Sequence, residues 1–184
     1  MTDVIKLCLN GRMRSGKDTL ATRLVTQYGF RQLAFGDALK ASAHDIFPHV
    51  PRSPKPRALY QFMNVMREFQ PDVWIKHVER SVEYALDRKT TQGIVITDAR
   101  QANEIKWARA NGFKIVRVTA PEHVRIARAH AVGDVFDYEA LTHPTETEVD
   151  GFDAEYTLEN DGDYESLIVK VDALMAEIRK GGNV

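Results

Sequence analysis

Gly11-Arg12-Met13-Arg14-Ser15-Gly16-Lys17 follows an apolar run over residues 4–9 that reads as a strand buried on both faces, and it opens a helical pattern over 17–27. A Gly-x4-Gly-Lys loop between a strand and a helix leaves few folds open. Its glycines let the backbone curl until successive amides point at one centre, and the helix N-terminus adds partial positive charge there. That concavity is built for phosphate oxygens. Gly11, Ser15, Gly16 and Lys17 are therefore expected to hold the phosphates of ATP, with the Lys17 ammonium reaching the β- and γ-groups. The next position, commonly a hydroxyl that meets magnesium, is Asp18, and the hydroxyl arrives one residue later as Thr19. Asp18 either faces Mg2+ through water or caps the helix. Both residues stand as candidate nucleotide and metal contacts.

Further strands read at 30–35, 94–97, 114–119 and 156–158, with helices at 38–47, 102–110 and 164–179. Such alternation calls for right-handed crossovers and a parallel sheet. The expected class is α/β: a three-layer sandwich of the P-loop NTPase type with a mostly parallel five-stranded sheet. At 184 residues and 43% hydrophobic composition, one domain over 1–184 with a real core is expected. Two stretches break the rhythm. Four of the seven prolines lie between Pro48 and Pro56, and helical patterns over 58–67 and 72–86 follow. Residues 48–90 are expected to be inserted helices that bind an acceptor. The long acidic connection within 121–152 is expected to be a mobile lid, because connections of that length are usually functional.

Lys+Arg 25 against Asp+Glu 26 gives a formal charge of -1, which argues against bulk nucleic-acid binding. No apolar run approaches the roughly 18 residues of a membrane span, and no long apolar segment of a signal peptide opens the chain. The lone Cys8 excludes an internal disulfide, and its apolar neighbours make it a small buried hydrophobe. A cytoplasmic protein without membrane contact is the expectation.

Arg14-Ser15-Gly16-Lys17-Asp18-Thr19 resembles the phosphate loop of bacteriophage-type deoxynucleoside monophosphate kinases, and animal phosphomevalonate kinases carry a close variant. The resemblance continues through Ala34-Phe35-Gly36-Asp37-Ala38-Leu39-Lys40, through Arg67 and Pro71-Asp72-Val73-Trp74, and through Asp98-Ala99-Arg100 with Asn103-Glu104. It ends with His143-Pro144-Thr145-Glu146 and Glu159-Asn160-Asp161-Gly162. It implies ATP-dependent transfer to a deoxynucleoside monophosphate with Mg2+, small nucleotides as partners and, by analogy, a homodimer.

Asp98 ends an apolar strand at its C-terminal edge, where ligands sit in open α/β sheets. It is a candidate catalytic and magnesium residue through water, or else a cap for the helix near Ala102. Arg100 suits a bidentate grip on an acceptor phosphate. Arg125 and Arg128 share a helix face after Pro121 and would close over the transferring group, while Arg14 would bridge donor and acceptor. Asp37, Lys40, Arg67, Trp74 and Glu104 are expected around the acceptor. Trp74 either stacks a base or fills the core, and Asp37 either binds or caps a helix. By family position Asn160 approaches the ATP base, and His143 and Glu146 cap a short lid helix.

The acceptor decides the chemistry. A phosphate monoester is largely dianionic near neutral pH and needs cations to hold it, whereas a hydroxyl needs a carboxylate base, for which Asp37 is the candidate. The arginines favour a monophosphate. Phosphomevalonate kinase-like and dephospho-CoA kinase-like readings remain open, as does a nucleotide-binding switch without a small acceptor.

Overall fold

The computed structural model describes residues 4–89, 91–132 and 148–181. Its strands are β1 (Ile5–Asn10), β2 (Phe30–Leu33), β3 (Gly93–Ile96), β4 (Lys114–Thr119) and β5 (Tyr156–Glu159). Its helices are α1 (Lys17–Tyr28), α2 (Phe35–Ile46), α3 (Arg57–Asn64), α4 (Met66–Phe69), α5 (Val73–Asp87), α6 (Ala102–Ala110), α7 (Glu122–Ala131) and α8 (Tyr164–Gly181). The strands run in the order β2-β3-β1-β4-β5, and all four pairings are parallel. The described strands thus form the five-stranded parallel sheet of the expected α/β class.

Alternation along β1 explains the layers. Leu7 and Leu9 point to one face, packing with Leu20, Leu24, Val171 and Met175 of α1 and α8. Cys8 points to the other, with Ile94, Ile96, Ile115, Ile75 and Ile105 under α5 and α6. Cys8 is fully buried, as its apolar setting implies, and burial holds its thiol pKa well above the ordinary value. Each such aliphatic contributes about 1.5–3 kcal/mol relative to exposure, so the sheet needs both covers. Pairing Cys8 with both Ile96 and Ile115 brings the C-terminal ends of β1, β3 and β4 to one edge. The functional loops leave from that edge.

Most element boundaries fall within two residues of the sequence reading, and two departures have a clear cause. The expected strand 30–35 stops at Leu33, and α2 starts already at Phe35. The cause is remote: Asp98 accepts hydrogen bonds from the backbone N–H of Phe35 (2.7 Å) and Gly36 (2.8 Å), satisfying the first donors of α2. The expected helix 58–67 divides into α3 and α4 at Val65, where Val65 N–H bonds Phe62 and Glu68 N–H bonds Val65, a tighter i→i+3 turn. Among the described residues no helix is long and apolar enough to cross a membrane. His143, Glu146 and the rest of residues 133–147 within the expected lid lie outside the described residues.

Candidate active site

The loop after β1 has the geometry its sequence promises. Gly11 has φ 138° and Gly16 φ 105°, conformations that side chains rarely tolerate. A Cβ on Gly11 would lie 2.2 Å from the Val118 carbonyl oxygen, and one on Gly16 would lie 2.1 Å from Asn160 Nδ2. Both glycines are therefore required by contact as well as by backbone. Arg14 also has a positive φ, 61°. The Lys17 ammonium is folded into the curl, donating to the carbonyls of Gly11 (2.7 Å) and Arg12 (2.9 Å). Asp18, in the first turn of α1, is exposed, and Thr19 beside it is half-buried.

Helix α7 lies against this loop. Arg125, 3% exposed, directs one guanidinium nitrogen to the Met13 carbonyl at 3.4 Å. Arg128 reaches the Arg14 carbonyl at 3.5 Å and donates at 3.0 Å to both Asn160 Oδ1 and the Gly162 carbonyl. The two arginines and the phosphate loop are thus brought together. Asn160, which the family position assigns to the ATP base, has another task here. It is 3% exposed, its amide donates to the Ser15 carbonyl at 2.8 Å, and its oxygen accepts from Arg128. It fastens the loop.

The expected acceptor residues separate into two groups. Asp37, exposed, and Lys40, half-buried, stand in the first turns of α2, 3.4 Å apart. Arg100 is half-buried at the edge after β3, its backbone N–H donating to Glu104. Trp74, Glu104 and Arg67 are engaged within the fold in this conformation, and for Trp74 that is the core alternative of the sequence reading. Trp74 is 1% exposed and packs with Leu39, Ala43 and Met63, so its ring presents no face to a base. Glu104 is 2% exposed and closes a capping box at the start of α6, accepting from Arg100 and Gln101 N–H. Arg67 spends its guanidinium on Glu104 (2.7 Å), Gln101 (2.8 Å) and Asn64 (2.9 Å). Burial pushes the Glu104 carboxyl up, against the Arg100 N–H and Arg67, which pull it down. Asp98 is likewise pushed up by burial, against the Gly36 and Phe35 N–H groups and Lys40.

Magnesium fits the donors present. Among the described residues no three His, Cys, Asp or Glu side chains converge into a cage. Mg2+ characteristically keeps waters and takes one or two protein oxygens plus substrate phosphates. Asp18 and Thr19 offer oxygens beside the loop. Asp98 caps α2 rather than α6, and each of its oxygens already accepts a backbone N–H, so it would act through water.

Sequence reasoning passed over Arg117, which lines a cavity with Arg12, Ser15 and Arg125 behind the loop. The signal was a charge inside the otherwise apolar run Ile115-Val116-Arg117-Val118. It also missed Asp150, whose carboxylate accepts from Arg12 at 2.5 Å and 2.9 Å.

The parallel sheet in this order, with a Gly-x4-Gly-Lys loop leaving its central strand, is the P-loop kinase fold. The crystal structure of TT1252 from Thermus thermophilus matches with a TM-score of 0.64 and 26% identity, over 95% of this chain and 97% of that one. An unliganded sugar kinase from Janibacter sp. HTCC2649 matches with a TM-score of 0.59 and 14% identity, over 95% of each chain. A gluconokinase from Sinorhizobium meliloti 1021 matches with a TM-score of 0.55 and 15% identity, over 96% of this chain and 94% of that one. No family model and no curated protein matches the chain.

Proposed function

We propose that this chain is an ATP-dependent small-molecule kinase whose acceptor is a phosphate monoester, a deoxynucleoside monophosphate, giving dNDP and ADP. The carrying observation is that Arg125 and Arg128 of α7 meet the carbonyls of Met13 and Arg14 in the phosphate loop. Cations so placed neutralise oxygens on a transferring phosphoryl group, and a dianionic acceptor needs that more than it needs a base. Lys17 and the loop amides hold the β- and γ-phosphates, and Arg14 reaches between donor and acceptor. Arg100, Lys40 and Asp37 stand at the acceptor side. Magnesium, bound with the nucleotide near Asp18 and Thr19, would neutralise charge on the β- and γ-phosphate oxygens. The family resemblance of the loop and of Asp98-Ala99-Arg100 supports the nucleotide as acceptor.

The fold neighbours favour a second reading, since a sugar kinase and a gluconokinase are among them. A hydroxyl acceptor would need a base, and the exposed Asp37 is the candidate. ADP release from ATP and Mg2+ separates the two, with dAMP, dCMP, dGMP, dTMP, phosphomevalonate, dephospho-CoA and gluconate as separate acceptors. The expected result is stimulation by one or more dNMPs, abolished by Lys17→Ala. Stimulation by dephospho-CoA or gluconate alone would replace the monophosphate reading with the hydroxyl one.

A further inference from the structure

The capping box at the start of α6 reaches further than a cap requires. In such a box the acidic or amide side chain of the third helical residue accepts the N–H of the cap residue. Here Glu104 Oε2 accepts that N–H, from Gln101, at 3.1 Å, and also the N–H of Arg100, one residue earlier, at the shorter distance of 2.8 Å. Its other oxygen accepts from Arg67 Nη2 at 2.7 Å, while Arg67 Nη1 donates to the Gln101 side chain at 2.8 Å. A glutamine would cap the helix as well, and burying a carboxylate at 2% exposure is costly unless it is fully paired. The added outlay falls on the backbone that carries Arg100. That backbone is held on its other side too: Ala99 is 1% exposed, and the Asp98 carboxylate accepts the N–H groups of Phe35 and Gly36 at the start of α2. Asn103 adds a tie to the turn before α5, donating to Asp72 at 2.8 Å and to the Pro71 carbonyl at 3.2 Å.

We propose that Glu104 and Arg67 are positioning residues for Arg100, holding the backbone from which its guanidinium grips the anionic group of the acceptor, and that neither touches substrate. This rests on the kinase reading, in which Arg100 stands at the acceptor side and the anionic group is a phosphate. A bidentate pair between a guanidinium and a phosphate is directional, so it depends on where the side chain starts. Glu104 is buried, and the guanidinium of Arg67 is spread over Glu104, Gln101 and Asn64, so both act from behind the site. Because Arg67 belongs to α4, the placement of the inserted helices and the grip of Arg100 are set by one joint.

Steady-state kinetics of the full chain, with ATP, Mg2+ and each of dAMP, dCMP, dGMP and dTMP as acceptor, tests this in wild type, Glu104→Gln, Arg100→Ala and the double variant. Glu104→Gln keeps a cap acceptor and loses the charge that Arg67 holds. It is expected to raise the acceptor KM about tenfold, within the range that a misplacement of about 1 Å can cause, with the KM for ATP unchanged. Loss of stability alone does not produce that split. In the Arg100→Ala background the same substitution is expected to raise the acceptor KM no further, because a residue that acts through Arg100 has nothing left to place. Arg23→Met breaks the ion pair with Asp172 between α1 and α8 and serves as the structural control, with the acceptor KM expected at the wild-type value. If Glu104→Gln fails to fold, Arg67→Lys takes its place with the same expectations, since it keeps the charge and loses the fork shared by Glu104 and Gln101. A wild-type acceptor KM in the folded variant overturns the positioning role. So do equal factors in the two backgrounds, which would put Glu104 against the acceptor itself. The same cycle is run with gluconate and dephospho-CoA. A protein that phosphorylates one of these and no dNMP, with the Glu104→Gln effect again lost in the Arg100→Ala background, sinks the monophosphate reading and leaves the positioning role standing. Phosphorylation of a dNMP with Glu104→Gln unchanged does the reverse, and phosphorylation of no acceptor overturns both.

Discussion

The indole of Trp74 is enclosed by Leu39, Ala43 and Met63 at 1% exposure, so truncating it empties core volume. Trp74→Ala is expected to cost about 3–5 kcal/mol of stability in denaturant unfolding, with the acceptor KM of the folded protein unchanged. Near-neutral stability with a raised KM would return Trp74 to the binding surface. What was legible at this scale is the chemistry that neighbours in sequence decide. The loop from Gly11 to Thr19 reads directly because its amides, glycines and lysine act within one turn of chain. The tasks of Trp74, Glu104 and Asn160 were not legible. Asn160 finds Ser15 across 145 positions, and Glu104 finds Arg67 across 37, so nothing local marks a clamp from a ligand contact.

Among elements, the most consequential joint is the one between α4 and α6. Arg67 and Glu104 form an ion pair with side chains 15% and 2% exposed, and Glu104 caps α6 at the same time. Removing one partner of a buried pair leaves an uncompensated charge, so Arg67→Met is expected to cost about 3–5 kcal/mol at neutral pH. The deficit depends on pH in a definite direction. Burial already raises the Glu104 carboxyl pKa, and loss of Arg67 removes a group that lowers it. A carboxyl whose folded pKa lies above its unfolded value binds protons preferentially in the folded state, so stability rises as pH falls through the folded pKa. The deficit of Arg67→Met is therefore full above that raised value and shrinks as pH falls through it towards the ordinary glutamate range of about 4.3. Urea midpoints of both proteins at several pH values check this; a deficit constant across that window would mean that Glu104 does not carry the cost. Element types were legible from periodicity, and the ends were not where tertiary contacts set them. The start of α2 is fixed by Asp98, 63 residues away in sequence from Phe35.

At the scale of the molecule, the parallel sheet brings the ends of β1, β4 and β5 to one edge, and one residue ties them. Asn160 N–H donates to the Thr119 carbonyl at the end of β4, its amide donates to Ser15 in the loop after β1, and its oxygen accepts from Arg128 of α7. The loop, α7 and the approach to α8 are thereby one mechanical unit, and the alternation of strands and helices foretold the sheet but not this joint. If Asn160 works as that fastening, its loss loosens the phosphate cradle and leaves base recognition alone. Asn160→Ala is expected to lower stability by about 1–3 kcal/mol, because the Ser15 carbonyl and Arg128 lose their partner. It is also expected to weaken ATP, GTP and pyrophosphate by a common factor, with the donor preference between ATP and GTP unchanged. Competitive titration with the three ligands separates the two roles. A variant that binds pyrophosphate as wild type does, yet exchanges its preference between the purines, would put Asn160 against the base instead of the loop.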